Sequence, residues 1–121
     1  MKILVIDDDK QVNKLVYSML SNEKNEVLQA FDGVQGLEIL KESPDIDLII
    51  TDIIMPEKEG IEIIRDVKKN HPKLKIIAIS GGGRIGAHSY LNLAKSLGAD
   101  QILEKPFSKK ELISLIDSIL K

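Results

Sequence analysis

The chain has 121 residues, of which 19 are acidic and 17 basic, giving a formal net charge of -2, with no Cys and no Trp. One domain fits that length, and it buries about two thirds of its unfolded surface without covalent staples. The absence of Cys excludes disulfides, thiolate zinc sites and Cys nucleophiles. The balanced charge and the presence of only two Tyr and two Phe disfavour a basic or base-stacking nucleic-acid surface.

The first apolar run, Lys2 to Ile6, reads as a strand and ends directly in Asp7-Asp8-Asp9. Met1-Lys2 leaves no room for a signal peptide, and no apolar run approaches a membrane span, so a cytoplasmic protein without membrane contact is expected. From Lys10 to Ser21, Val12, Leu15, Val16, Met19 and Leu20 recur at helical spacing behind an Asp9 cap. Glu26 to Ala30 reads as a second strand, and Asp32 caps a second helix marked by Val34, Leu37, Ile39 and Leu40. Leu48 to Asp52 is apolar and β-branched until its last residue, which is the pattern of a strand buried on both faces. After the Met55–Gly60 loop, Ile61, Ile63, Ile64 and Val67 mark a third helix that ends near Asn70-His71-Pro72. Lys75 to Ser80 is the fourth strand, followed by a Gly81-Gly82-Gly83 loop. A fourth helix is predicted from about Ile85 to Leu97, stopped by Gly98. Gln101 to Glu104 is the fifth strand, Lys105-Pro106-Phe107 a turn, and Ser108 with Glu111 a capping box opening the last helix.

Five alternations of strand and helix imply an α/β domain, a five-stranded parallel sheet with helices on both faces. Such sheets bind ligands outside the carboxyl ends of their strands. Asp7, Asp8, Asp52 and Ser80 all fall at those ends, with Lys105 just past the last. Converging carboxylates repel unless a cation joins them. Asp8 and Asp52 offer the hard oxygen ligands that Mg²⁺ (or Mn²⁺) takes, with the main-chain carbonyl of Ile54 as a third and Asp7 acting through a water. Asp52 is the best-placed nucleophile for a phosphoryl group. Lys105 and the Ser80 hydroxyl are placed to meet the transferring oxygens.

These residues carry a resemblance. The Asp7-Asp8 pair, Asp52 followed by Met55-Pro56, Ser80, and Lys105-Pro106-Phe107 resemble a response-regulator receiver domain of two-component signalling, over essentially the whole chain. The resemblance implies a flavodoxin-like, CheY-like sheet of order 2-1-3-4-5 and a cis peptide before Pro106. It further implies Mg-dependent phosphorylation of Asp52 by a sensor histidine kinase or a phosphotransfer protein, with Ser80 and Lys105 reading the phosphoryl group. The signal would leave through the face made by the fourth helix, the fifth strand and the last helix. Three positions depart from the family's habit: Ile102 replaces an aromatic residue, Gly81 the commoner Ala, and Ile54 an often polar residue. With no output domain in the sequence, a stand-alone receiver is expected, not a turnover enzyme on an external substrate. A phosphatase of the haloacid-dehalogenase type would need an acid at position 54, and an inert receiver-like module usually lacks an acidic residue or the Lys.

Overall fold

Every apolar run assigned to a strand enters one parallel sheet. The strands are β1 (Lys2–Ile6), β2 (Glu26–Ala30), β3 (Leu48–Asp52), β4 (Lys75–Gly81) and β5 (Gln101–Lys105), in the order β2-β1-β3-β4-β5. All four ladders are parallel. The computed structural model describes residues 1–53, 60–81, 92 and 94–120. The helices between the strands are α1 (Lys10–Leu20), α2 (Gly33–Glu42) and α3 (Gly60–Asn70), and Lys109–Leu120 forms the last helix. Residues 94–96 are helical too; most of the fourth helix expected from Ile85 to Leu97 lies outside the described residues, as do Ile54, Met55, Pro56, Gly82 and Gly83.

Side chains alternate across a strand, so a continuous apolar run serves two cores at once. Leu4, Ile6, Ile49 and Ile53 face Leu40 of α2 and Ile63, Ile64 and Val67 of α3. Ile3, Val5, Ile50, Ile77 and Ile79 face Val16 and Leu20 of α1 and Leu112 and Ile116 of the last helix. The three inner strands are consequently buried almost end to end.

The caps lie where the polar residues announce them. Asp9 accepts from the N–H groups of Gln11 and Val12, and Asp32 accepts from Gln35. Ser108 and Glu111 exchange side-chain to backbone hydrogen bonds of 3.1 and 3.2 Å. Gly98 has φ +124°, a conformation that suits glycine, at the end of the helical residues 94–96. Just beyond it, the Asp100 carboxylate accepts from the Ile76 N–H (2.9 Å) and lies 3.4 Å from Lys68 Nζ. These contacts tie the start of β5 to β4 and α3.

Three details differ from the sequence reading. Gly81 and Lys105 are not loop residues; they pair with each other as the last rung of the β4–β5 ladder. In α1, Leu15 is 51% exposed, and the buried residues are Asn13, Val16 and Leu20. The buried face is turned away from the purely apolar stripe because Asn13 occupies a place against the sheet. In α2, Val34 is 47% exposed, since Gly33 and Gly36 take the buried positions of the first turns.

The corrected face of α1 gives a direct test. Leu20→Ala should lower stability by about 2–5 kcal/mol, as core truncations do. Leu15→Ala should stay within about 0.5 kcal/mol of the parent. Urea unfolding of the two variants checks both values.

Candidate functional site

The register of the sheet decides which side chains meet. Ile6 pairs with Thr51, Asp52 with Ile79, Ser80 with Glu104 and Gly81 with Lys105. The carboxyl ends of β1, β3, β4 and β5 thus finish together. Asp7 stands one residue past β1, and Asp52 and Lys105 are the last residues of their strands.

Lys105 Nζ lies 3.1 Å from Asp52 Oδ2 and 3.0 Å from Asp7 Oδ2, one ammonium bridging two carboxylates. Asp7 is fully buried, Asp52 nearly so, and Asp8 is exposed. Asp7 Oδ1 accepts from the Asp9 N–H at 2.9 Å. Burial, and after it the charge of Asp52, pushes the Asp7 carboxyl up to about 6, although the Asp9 N–H and Lys105 pull it down. Burial works against the charged form of Lys105, yet the carboxylates of Asp52 and Asp7 outweigh it and raise its pKa above the usual lysine value.

One carboxylate oxygen from each of Asp7, Asp8 and Asp52 lies within 4.8 Å of the other two. Three carboxylates against one ammonium leave two negative charges when all are ionised. That is the charge of a divalent cation, and an all-oxygen donor set suits Mg²⁺ or Mn²⁺. The donors therefore fit the metal expected from the sequence. The carbonyl of Ile54, expected as a third kind of ligand, lies outside the described residues.

Ser80 is buried, and among the described residues its Oγ has no hydrogen-bond partner. A buried hydroxyl left unpaired costs about 1–3 kcal/mol, so the Ser80 Oγ is suited to meet a further acceptor. All five residues singled out in the described sequence, Asp7, Asp8, Asp52, Ser80 and Lys105, are thus brought to one edge.

Two contributors were not singled out in the sequence. Gly60 opens α3 and donates to the Ile53 carbonyl at 3.2 Å. A Cβ there would collide with the Asp52 carbonyl oxygen and with Ile53 Cα, so only glycine lets α3 start against the strand end that carries Asp52. Asn13 is buried in α1 and donates to the carbonyls of Asp7 (3.0 Å) and Ala30 (2.8 Å). No local signal in the sequence marks Asn13 for burial; its partners come from the ends of β1 and β2.

Residues 3–117 match the family model of the response regulator receiver domain. The chain belongs to the response-regulator receiver family. It is 36% identical over 120 residues to the transcriptional regulatory protein CpxR of Escherichia coli (strain K12), covering 99% of this chain and 49% of that protein. It is 34% identical over 122 residues to the chemotaxis protein CheY of Treponema pallidum (strain Nichols), covering 99% and 83%. A receiver domain protein from Clostridium thermocellum superposes with a TM-score of 0.87 at 36% identity, over 97% of this chain and 91% of that one. The chain spans about half the length of CpxR and most of the length of CheY. Phosphorylation and the use of Mg²⁺ are general to receiver domains, as is interaction with histidine kinases or phosphotransfer proteins. The cis Lys105–Pro106 peptide and the strand order implied by the resemblance are both present. No helix among the described residues is long and apolar enough to cross a membrane.

The raised Asp7 pKa has a consequence for the metal-free protein. Unfolded, this carboxyl loses its proton near the ordinary 3.8; folded, near 6. Between those values the folded state holds a proton that the unfolded state has released, so stability falls as pH rises through this window. Above about pH 6 the ionised, buried carboxylate is a full liability. Asp7→Asn should therefore flatten this part of the profile and raise metal-free stability at neutral pH. Urea unfolding from pH 4 to 7 in the presence of a chelator is the measurement.

Proposed function

We propose that Asp52 accepts a phosphoryl group from a phosphohistidine, and that Asp7, Asp8, Ser80 and Lys105 form the site that makes the transfer and reads it. The observation that carries this reading is the Lys105 ammonium, 3.1 Å from Asp52 and 3.0 Å from Asp7, at the edge where the third carboxylate of Asp8 also converges.

A carboxylate oxygen of Asp52 attacks phosphorus. The new O–P bond forms as the donor's N–P bond breaks, and the departing imidazole nitrogen takes up a proton. The product is an acyl phosphate on the end of β3. Asp8 and Asp52, with Asp7 through a water, would hold a Mg²⁺ (or Mn²⁺), which would supply charge neutralisation for the phosphoryl oxygens. Lys105 supplies a further positive charge from within the protein, already in place and needing no reorganisation. The phosphoryl group carries roughly -1.5 to -2 charge and three strong acceptor oxygens, which the Ser80 hydroxyl, without a partner among the described residues, is suited to meet.

The donor in this reading is a sensor histidine kinase or a phosphotransfer protein, and the receiver is a signalling switch, not a turnover enzyme. Its output surface includes the face of β5 and the last helix; the fourth helix expected beside them lies mostly outside the described residues. A groove of about 510 Å³ between β5 and the last helix, lined by Ile102, Leu103, Lys110, Glu111 and Leu115, supports the described part of that face. Ile102 has no ring or hydroxyl, so the change at that position is the repacking of an aliphatic side chain. The name of CpxR attaches a transcriptional role to a protein twice this length; the receiver itself, at net charge -2, contacts proteins in this proposal.

Incubation with acetyl phosphate and Mg²⁺, followed by mass spectrometry, tests the reading. One hydroxylamine-labile phosphoryl group should appear on the parent and none on Asp52→Asn. Asp8→Ala should slow the reaction at least about tenfold at limiting Mg²⁺. Lys105→Met should still accept the group but lose the gain in partner affinity. Steady turnover of phosphate esters without a stable adduct would replace this reading with a phosphatase.

A further inference from the structure

The metal-site reading leaves the buried amide of Asn13 unexplained. Asn13 sits in the first half of α1 with no exposed surface, among Val16 and Leu20, where the helix meets the sheet. Burying an amide is costly unless its hydrogen bonds are made. They are made here in an unusual direction: Asn13 Nδ2 donates to the Asp7 carbonyl at 3.0 Å and to the Ala30 carbonyl at 2.8 Å. Its Oδ1 accepts from Gln29 Nε2 at 2.9 Å. The same Ala30 carbonyl accepts the Asp7 N–H at 3.1 Å. Side chains on a helix lean towards its N-terminus, which is how a residue inside α1 reaches a carbonyl that precedes the Asp9 cap.

The polarity of this network is forced. Two carbonyls can only accept, so the amide end facing them is Nδ2. The oxygen must then face Gln29, which presents its own NH₂. Asn13 is thus held in one orientation by β2 and holds, in turn, one peptide plane. That plane is the bond joining Asp7 to Asp8. The two carboxylates pivot on it, and both belong to the cluster whose oxygens lie within 4.8 Å of one another and of Asp52. Like charges gathered that closely push the pivot open.

We infer that Asn13, supported by Gln29, is a positioning residue for the divalent cation site: it locks the Asp7–Asp8 peptide so that both carboxylates face Asp52 before any cation arrives. The inference rests on the metal site proposed above. It assigns Asn13 no contact with metal or phosphoryl. Its effect is on preorganisation, and so on cation affinity.

The test is calorimetric titration of the full chain with Mg²⁺, alongside urea unfolding in chelator. Asn13→Ala should weaken Mg²⁺ binding by about tenfold, and Gln29→Met by a few fold. Leu20→Ala, buried on the same helix but at its other end, should lower the urea midpoint while keeping the parent's Mg²⁺ affinity. With acetyl phosphate as donor, Asn13→Ala should need more Mg²⁺ for half-maximal phosphorylation yet approach the parent's rate at saturation, because Asp52 and Lys105 are untouched. Mg²⁺ affinity within twofold of the parent in Asn13→Ala would overturn the inference. So would an equal loss in Leu20→Ala, which would make the effect one of general stability. If Asn13→Ala does not fold, Gln29→Met decides alone, and parent-like affinity there overturns the inference. A parent that shows no Mg²⁺ binding sensitive to Asp8→Asn would remove the metal-site reading itself, and the inference with it.

Discussion

The Lys105 ammonium, set between the carboxylates of Asp7 and Asp52, is the interaction on which this edge of the molecule depends. Three carboxylates gather at the ends of two strands, β1 and β3. Without an internal cation the sheet would hold them apart or hold them protonated. One ammonium compensates only part of the charge, and burial, with the charge of Asp52 behind it, still holds the Asp7 carboxyl above its ordinary value. The site is therefore stable enough to fold and electrostatically incomplete. Both properties suit the uptake of a cation and a phosphoryl group proposed above.

The fold serves this arrangement through its ladder ends. Lys105 belongs to β5, which is fastened at its start by Asp100 to Ile76 and Lys68 and at its end by the Gly81 pairing. Asp52 ends a strand buried throughout, so its position is set by packing on both faces, and Gly60 brings α3 against its carbonyl. Asp7 is held by its own N–H to Ala30 and by Asn13 to its carbonyl. Each charged group is thus fixed through its backbone, which leaves the side chains to respond to whatever binds.

Much of this was legible in the sequence because it is written in period and in cost. Apolar runs of strand length, alternating with helical stripes, revealed the layers, and capping residues marked the helix starts to within a residue. Asp7, Asp8, Asp52, Ser80 and Lys105 stood out because each is a polar residue at a strand end, where only function or pairing justifies it. Other features were not legible for physical reasons. Leu15 fits the helical stripe of α1 as well as its neighbours do, and nothing local says that the sheet will meet Asn13 instead. Asn13 is worth burying only because two carbonyls from β1 and β2 converge on it, a fact of tertiary register. Gly60 reads as an ordinary loop glycine until α3 is seen to touch Asp52. Gly81 and Lys105 have turn chemistry beside them, and the pairing of β4 with β5 carries the ladder through both.

Under the proposed reading, the Ser80 hydroxyl, unpaired among the described residues, and the crowded carboxylates are two halves of one device. The resting site carries a cost on each side: a buried donor without an acceptor among the described residues, and buried anions with too little positive charge. A phosphoryl group on Asp52, accompanied by a divalent cation, offers acceptors to the first and a counter-charge to the second. A modification shifts a two-state equilibrium only by what it contributes differently to the two states. The difference here lies in bonds that the resting state cannot make, so the modified state gains from groups already in place. Lys105 keeps an anionic partner in both states, which lets the charge at the tip of β3 change while the strand ends remain where the sheet holds them.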